Sequence, residues 1–166
     1  MCGSNDASQL AMKNVASMAQ PQRAAALDTH IIDTVTCGSN FTVAVTKRGE
    51  LIGWGAGEYG QIGPPCVVQQ AVPRIIKGMS PAARIERVAA GSAHVLALSE
   101  QFQVYAFGAG LHGALGHGST ESTYVQADSV TPSDPNLHPI RVPCNPKSHK
   151  DAVAMICSVC AGTHPG

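Results

Sequence analysis

Residues 35–63 read VTCGSNFTVAVTKRGELIGWGAGEYGQIG, and residues 88–116 read VAAGSAHVLALSEQFQVYAFGAGLHGALG. The second stretch lies 53 positions after the first, and the two align without a gap. Nine positions are identical, and five of them are glycines: Gly38/Gly91, Gly55/Gly108, Gly57/Gly110, Gly60/Gly113 and Gly63/Gly116. Because an internal repeat of this length is one supersecondary unit, the alignment decides the architecture.

Each copy contains short apolar runs of strand length. Residues 42–46 and 94–99 are apolar or alternating, and residues 50–55 return after a turn and end in glycine. Between the copies, residues 72–76 and 85–89 supply two more short strands. Four strands in a period of roughly 50 residues are typical of a propeller blade. The sequence therefore predicts an all-β fold, a partial β-propeller of four-stranded antiparallel blades.

The two copies differ at one hairpin turn. Gly49 supplies a positive φ cheaply after Lys47 and Arg48. The second copy has Phe102 in that position, which predicts another turn geometry there.

The shared residues have structural roles. Glycine lets neighbouring backbones approach closely, and the large apolar pair Trp54 and Phe107 is expected to pack between blades. The structural set is Gly38, Trp54, Gly55, Gly57, Gly60, Gly63, Gly91, His94, Phe107, Gly108, Gly110, Gly113 and Gly116. The loop residues free to vary are the candidates for partner binding: Glu58, Tyr59, Leu111 and His112.

The repeat closely resembles that of the regulator of chromosome condensation family. The resemblance covers 31–118 and rests on Ala90–His94, Leu96–Leu98, Val104–Gly108 and Gly110–Gly118, with Trp54-Gly55 and Gly60–Gly63 in the first copy. A third unit begins near Ile156, where Val159–Gly162 matches Val88–Gly91.

The chain departs from the family pattern at a few positions. Phe41 stands where the family has histidine, Gly57 and Gly110 stand where many members have asparagine, and Ala114 replaces glutamine. The stretch 117–150 is rich in Ser, Thr, Pro and Asp and is expected to be a long surface loop with a brief strand at 139–142.

The resemblance implies a seven-bladed propeller, of which this chain holds about two blades. The expected domains are an N-terminal extension at 1–30, helical or disordered, and a partial propeller at 31–166. Its repeats span 35–87 and 88–158, with a third unit begun at 156–166. Since open blades leave strand edges exposed, we expect the remaining blades or self-association to complete it.

Composition narrows the class of protein. Lys plus Arg and Asp plus Glu both number 11 in 166 residues, so no basic excess indicates nucleic acid as a ligand. No apolar run is long enough for a membrane helix, and Met1–Gln20 lacks the pattern of a secretory signal. The six cysteines form no framework, which favours free thiols in the cytoplasm or nucleus.

Three patterns that look like chemistry are better explained by structure. The GxGxxG at 55–60 and 108–113 recurs with the repeat, and Pro64-Pro65 follows where a nucleotide-binding helix would begin. Cys157 and Cys160 lack a second metal-binding pair, and Cys160 falls on a small-residue position of the repeat. The sequence predicts no catalytic residue, no cofactor and no metal.

A repeat rich in structural residues and poor in reactive ones indicates a non-enzymatic protein-interaction module, whose partner is a protein, a small GTPase or a chromatin protein among the candidates. The resemblance offers two alternatives: guanine-nucleotide exchange on a Ran-type small GTPase, or an accessory propeller in a larger ubiquitin-ligase or kinase protein. Light sensing, as in the family's plant ultraviolet-B receptors, needs a tryptophan cluster, and Trp54 stands alone.

Overall fold

Two four-stranded antiparallel sheets make up the folded part of the chain in the computed structural model. The structure describes residues 1–64, 67–79, 83–110 and 113–116, together with the backbone of 140–141. Within them, the helical structure is a single 3-10 turn, Ala25–Leu27, and no helix has the length and apolar character to span a bilayer. The predicted all-β class is confirmed.

The first sheet contains four consecutive strands in sequence order: β3 (Ile32–Cys37), β4 (Phe41–Thr46), β5 (Leu51–Ala56) and β6 (Gln69–Ile75). The register places Val35 opposite Ala44 and Phe41 opposite Gly55. β4 and nearly all of β5 are buried, whereas β3 and β6 are only partly covered. The apolar runs seen in the sequence are therefore the two central strands.

The second sheet repeats this arrangement with β7 (Ile85–Ala90), β8 (His94–Ser99), β9 (Val104–Gly108) and β10 (Ile140–Arg141). Its register is equivalent, with Val88 opposite Ala97 and His94 opposite Gly108. The brief strand expected at 139–142 is β10, which supplies the fourth strand. The rest of the 117–150 loop and the third unit at 156–166 lie outside the described residues.

The expectation of a different turn at Phe102 was wrong. Phe102 has a φ of 59°, and Gly49 in the equivalent position has a φ of 77°. Both turns make the same bonds, because the N–H of Gly49 donates to Thr46 O at 2.8 Å and that of Phe102 to Ser99 O at 3.0 Å. The pairing of β8 with β9 fixes this geometry, so a bulky residue accepts a left-handed φ there.

The two sheets pack face to face through one apolar core. It joins residues of both sheets and the loops between them: Phe41, Val43, Val45, Leu51, Ile62, Ile76, Ile85, Val88, Val95, Ala97, Tyr105 and Phe107. β7 lies against both β3 and β4 of the preceding sheet. Backbone bonds cross the interface as well, since the N–H of Ser39 donates to Ser92 O at 3.1 Å.

The N-terminal segment is neither of the two states expected for residues 1–30, a helix or a disordered extension. It contains the short pair β1 (Gly3–Ser4) and β2 (Ser17–Met18), and it covers the other face of the first sheet. The carbonyl of Gln9 accepts bonds from Trp54 Nε1 at 2.8 Å and from Thr42 Oγ1 at 2.9 Å. The apolar residues of this segment are thus used for packing on a sheet rather than for a helix face.

This segment adopts the backbone conformation of the second half of a repeat. Gly3, Ser8 and Ala11 have φ values of 112°, 63° and 54°, against 102°, 75° and 75° at the glycines 55, 60 and 63. The N–H of Asn5 donates to Ala16 O at 2.8 Å, as that of Gly57 does to Val68 O at 3.2 Å. Residues 1–18 therefore correspond to 53–70, and we call them the half-repeat.

An aromatic ring covers a glycine at the first hairpin turn of each sheet. A Cβ atom on Gly38 would lie 1.9 Å from Phe41 Cε1, and one on Gly91 would lie 2.2 Å from His94 Cε1. Phe41 and His94 hold equivalent positions, so the ring and the missing side chain fit together in both repeats. This explains why the first copy tolerates phenylalanine in place of histidine.

Gly38→Ala is expected to destabilise the protein by about 1–3 kcal/mol, because the added methyl overlaps the Phe41 ring. Urea unfolding followed by circular dichroism measures the change. Ser39→Ala is the matched control at the next position, where the side chain is exposed. Equal stabilities of the two variants would contradict the steric explanation.

Burial lowers the pKa of His94 below its ordinary value of 6.5. The unfolded chain therefore binds the proton more readily, and the stability present above pH 6.5 is lost as the pH falls through the folded-state pKa. His94→Phe, which copies Phe41, is expected to lose less stability than the wild type between about pH 7.5 and about pH 5. Parallel urea titrations test this, and identical pH slopes for both proteins would contradict it.

Candidate partner-binding face

The candidate loops lie at one end of the two sheets. The N–H of Ala56, where β5 ends, donates to Asn40 O at 2.8 Å, and in the second sheet the N–H of Ala109 donates to Ala93 O at 2.8 Å. The β3–β4 and β7–β8 turns are thus tied to the segments that follow β5 and β9. We call residues 38–40, 57–60, 91–93 and 109–110 the loop face.

Backbone hydrogen bonds build the loop that follows β5. The N–H of Gly60 donates to Gly57 O at 3.0 Å, and the N–H of Gly63 donates to Gly60 O at 2.9 Å. Gly57 admits no side chain, since a Cβ there would lie 2.7 Å from Val67 O. The sequence GxGxxG at 55–60 therefore leads into two tight turns and on to β6, and not into a nucleotide-binding helix.

Glu58 and Tyr59 lie at the tip of this loop. The Glu58 side chain is exposed, and Tyr59 is half-buried. Below them, Gln61 is buried, and its Oε1 accepts the N–H of Tyr59 at 2.8 Å. In the half-repeat, Gln9 Oε1 accepts the N–H of Ala7 at 2.9 Å in the same way. An internal amide thus fixes the loop while Glu58 faces solvent.

The second repeat forms the equivalent loop in part. The N–H of Gly113 donates to Gly110 O at 3.2 Å, and the N–H of Gly116 donates to Gly113 O at 2.9 Å. The structure thus brings the glycine turns of both repeats to one end. The predicted partner-binding residues Leu111 and His112 lie outside the described residues.

Sequence reasoning missed three residues of the loop face. Ser39, Asn40 and Ser92 are exposed and lie in the hairpin turns beside the candidate loops. The bond between Ser39 and Ser92 links the two turns, so the loop face continues from one repeat to the next. Small polar turn residues carry no pattern of their own, and only the offset of 53 that makes Ser39 and Ser92 equivalent pointed to them.

The opposite end of the sheets carries charge that is paired internally. Lys47 forms an ion pair with Asp33, and the hydrogen bond from Lys47 lowers the pKa of that carboxyl group. Arg84 Nε lies 3.5 Å from Glu100 Oε1. Such exposed pairs contribute little to stability, but they leave this end with mixed charge.

No group of three potential metal ligands occurs in the part of the chain that the structure describes. The Cys157 and Cys160 pair lies outside that part. Cys2 and Cys37 are free and exposed.

Sequence profiles of the regulator of chromosome condensation (RCC1) repeat match most of the chain. One profile matches residues 48–98 and 103–164, and a second matches residues 32–61. Neither match includes the half-repeat.

Similar proteins carry the repeat inside longer chains. Ultraviolet-B receptor UVR8 of Arabidopsis thaliana is 34% identical over 124 residues, covering 74% of this chain and 28% of the relative. Probable E3 ubiquitin-protein ligase HERC6 of Homo sapiens is 36% identical over 118 residues, covering 70% of this chain and 11% of the relative. The chain thus spans little more than a quarter of either protein.

Solved structures share the fold. Human WBSCR16 superposes with a TM-score of 0.68 at 22% identity, covering 86% of this chain and 32% of that protein. Prp20p from Saccharomyces cerevisiae superposes with a TM-score of 0.67 at 17% identity, covering 95% of this chain and 42% of Prp20p. Prp20p itself binds Gsp1p and histones.

Gln61→Ala is expected to loosen the loop by removing the buried acceptor of the Tyr59 N–H, at a cost of about 1–2 kcal/mol. Amide hydrogen exchange should accelerate at Tyr59, whereas the Gly60 amide keeps its backbone acceptor. The matched control is Gln70→Ala, whose side chain bonds locally to Val72 O. Unchanged exchange at Tyr59 would show that Gln61 does not hold the loop.

Proposed function

Because the chain belongs to the regulator of chromosome condensation repeat family, we propose that it works as a non-enzymatic protein-interaction module in the cytoplasm or nucleus. The loop face is the binding surface. Glu58 and Tyr59 contact the partner, together with Leu111 and His112 of the next repeat. The remaining propeller blades, or self-association, complete the fold around it.

The rigid construction of the loop at Glu58 carries this proposal. Two tight turns and the buried Gln61 side chain fix the backbone before any partner arrives. A surface that is already ordered loses little conformational entropy on binding, which favours affinity. Loops presented by successive blades then add up to a broad face.

The nature of the partner follows from the surface and from the relatives. The net charge is zero, which does not favour nucleic acid. Prp20p, which shares the fold, has proteins as its ligands, namely Gsp1p and histones. We therefore place a protein partner first, with a small GTPase or a chromatin protein as the candidates.

The double variant Glu58→Lys/Tyr59→Ala is expected to weaken partner capture by about tenfold or more, because it reverses a charge and removes an aromatic contact at the centre of the loop. Quantitative pull-down from nuclear and cytoplasmic extracts measures the loss. Arg48→Ala, at the opposite end of the sheets, is the control and should retain every partner. Full capture by the double variant, with its thermal unfolding unchanged, would refute the assignment of this loop.

The same variants separate binding from nucleotide exchange. A purified Ran-type GTPase loaded with fluorescent nucleotide is mixed with the wild-type chain, and nucleotide release is followed. An interaction module binds without accelerating release. Faster release that the double variant loses would assign exchange activity to the loop face instead.

A further inference from the structure

The half-repeat has an open strand edge where a complete repeat has a neighbour. β5 pairs with β6 on one side and with β4 on the other, with Gly55 opposite Phe41. β1, which corresponds to the end of β5, pairs with β2 in a sheet of two strands. Gly3 and Ser4 are exposed. The half-repeat therefore has the equivalents of a third strand end and a fourth strand, but its sheet contains no counterparts of β3 and β4.

The first sheet is uncovered where those two strands would lie. Val35 and Val88 are equivalent residues, yet Val35 is 55% exposed and Val88 is 8% exposed. Val88 is covered because β7 packs on β3 and β4 of the preceding sheet. For β3, the half-repeat supplies no such strands. The difference in exposure thus identifies the missing neighbour.

A groove of about 590 Å³ lies at this place. Its lining is mostly apolar and comes from both the half-repeat and the first sheet, including Cys2, Leu10, Leu27, Ile32, Val35 and Cys37. Its wall formed by β3 corresponds to the surface of β7 that is buried between the two sheets. The groove therefore continues a kind of interface that the molecule already uses once.

We propose that this groove binds a two-stranded β-hairpin with the sequence pattern of the first half of this repeat. Both described hairpins of that pattern, β3–β4 and β7–β8, are already built into sheets. The occupant is therefore a separate polypeptide segment that carries such a half. Its second strand pairs with the open edge of β1, and its apolar face covers Val35.

The existing interface specifies the contacts that the hairpin makes. In the first sheet, Phe41, Val43 and Val45 of β4 point into the core shared with β7. The docked hairpin presents the same three positions to β3. The carbonyl of Asn40 accepts the N–H of Ala56 at 2.8 Å, and the docked turn offers the equivalent carbonyl to Ser4.

Alkylation of Cys37 reports occupancy, because this thiol is exposed and lines the groove. The full chain is treated with a maleimide, and labelling of each cysteine is followed by mass spectrometry. A synthetic peptide of residues 31–50 carrying Cys37→Ala, at saturation, is expected to slow labelling of Cys37 by about tenfold. A peptide that also carries Val43→Asp and Val45→Asp is the matched control and should leave the rate unchanged.

A fused variant removes the dependence on a marginally stable free hairpin. Residues 31–52, with Cys37→Ala in the added copy, are joined before Met1, so that the added Ile52 continues into β1. The fusion is expected to slow labelling of the original Cys37 and to raise the thermal midpoint, and the double-Asp fusion should do neither.

Three results would overturn the proposal. Cys37 could react at the same rate in the fusion and in the native chain. Both peptides could protect it equally, which indicates unspecific apolar adsorption. Labelling could also fall as the concentration of the chain rises without peptide, which would make a second copy the occupant.

Discussion

The packing of one four-stranded sheet against the next is the interaction on which the rest of this structure depends. Each sheet buries its central strands on both faces, so neither can lose its apolar surface to water without a neighbour on each side. Between the two sheets, the core built around Phe41, Val95 and Phe107 meets this requirement. On the other face of the first sheet, the half-repeat meets it in part through Trp54.

The loop face is a consequence of the same packing. Because the sheets are stacked in the same orientation, the turns that precede β4 and β8 come together, and the bond from Ser39 to Ser92 joins them. The loop that carries Glu58 is tied to the first of these turns through Ala56 and Asn40. A binding surface across repeats thus needs no residues beyond those that build each repeat.

The half-repeat shows how far the backbone pattern persists when the glycines are lost. Ser8 and Ala11 take the left-handed φ values that Gly60 and Gly63 take, at a higher conformational cost. Gln9 and Asn5 offset this cost locally, since the Asn5 side chain donates to the carbonyls of Met12 and Val15 and accepts the N–H of Leu10. The signal was present in the sequence, because Asn5 and Gln9 are the asparagine and glutamine typical of the family's loop.

The sequence by itself determined the repeat, the four-stranded unit and the family, because the equal spacing of five glycine pairs survives without any knowledge of contacts. It also located the candidate loop at Glu58 and Tyr59, since these residues vary between copies in an otherwise fixed frame. Only the tertiary structure revealed the half-repeat and the difference in exposure between Val35 and Val88. Those features depend on which surface covers which, and two residues with the same local pattern differ only in the neighbours that the fold gives them.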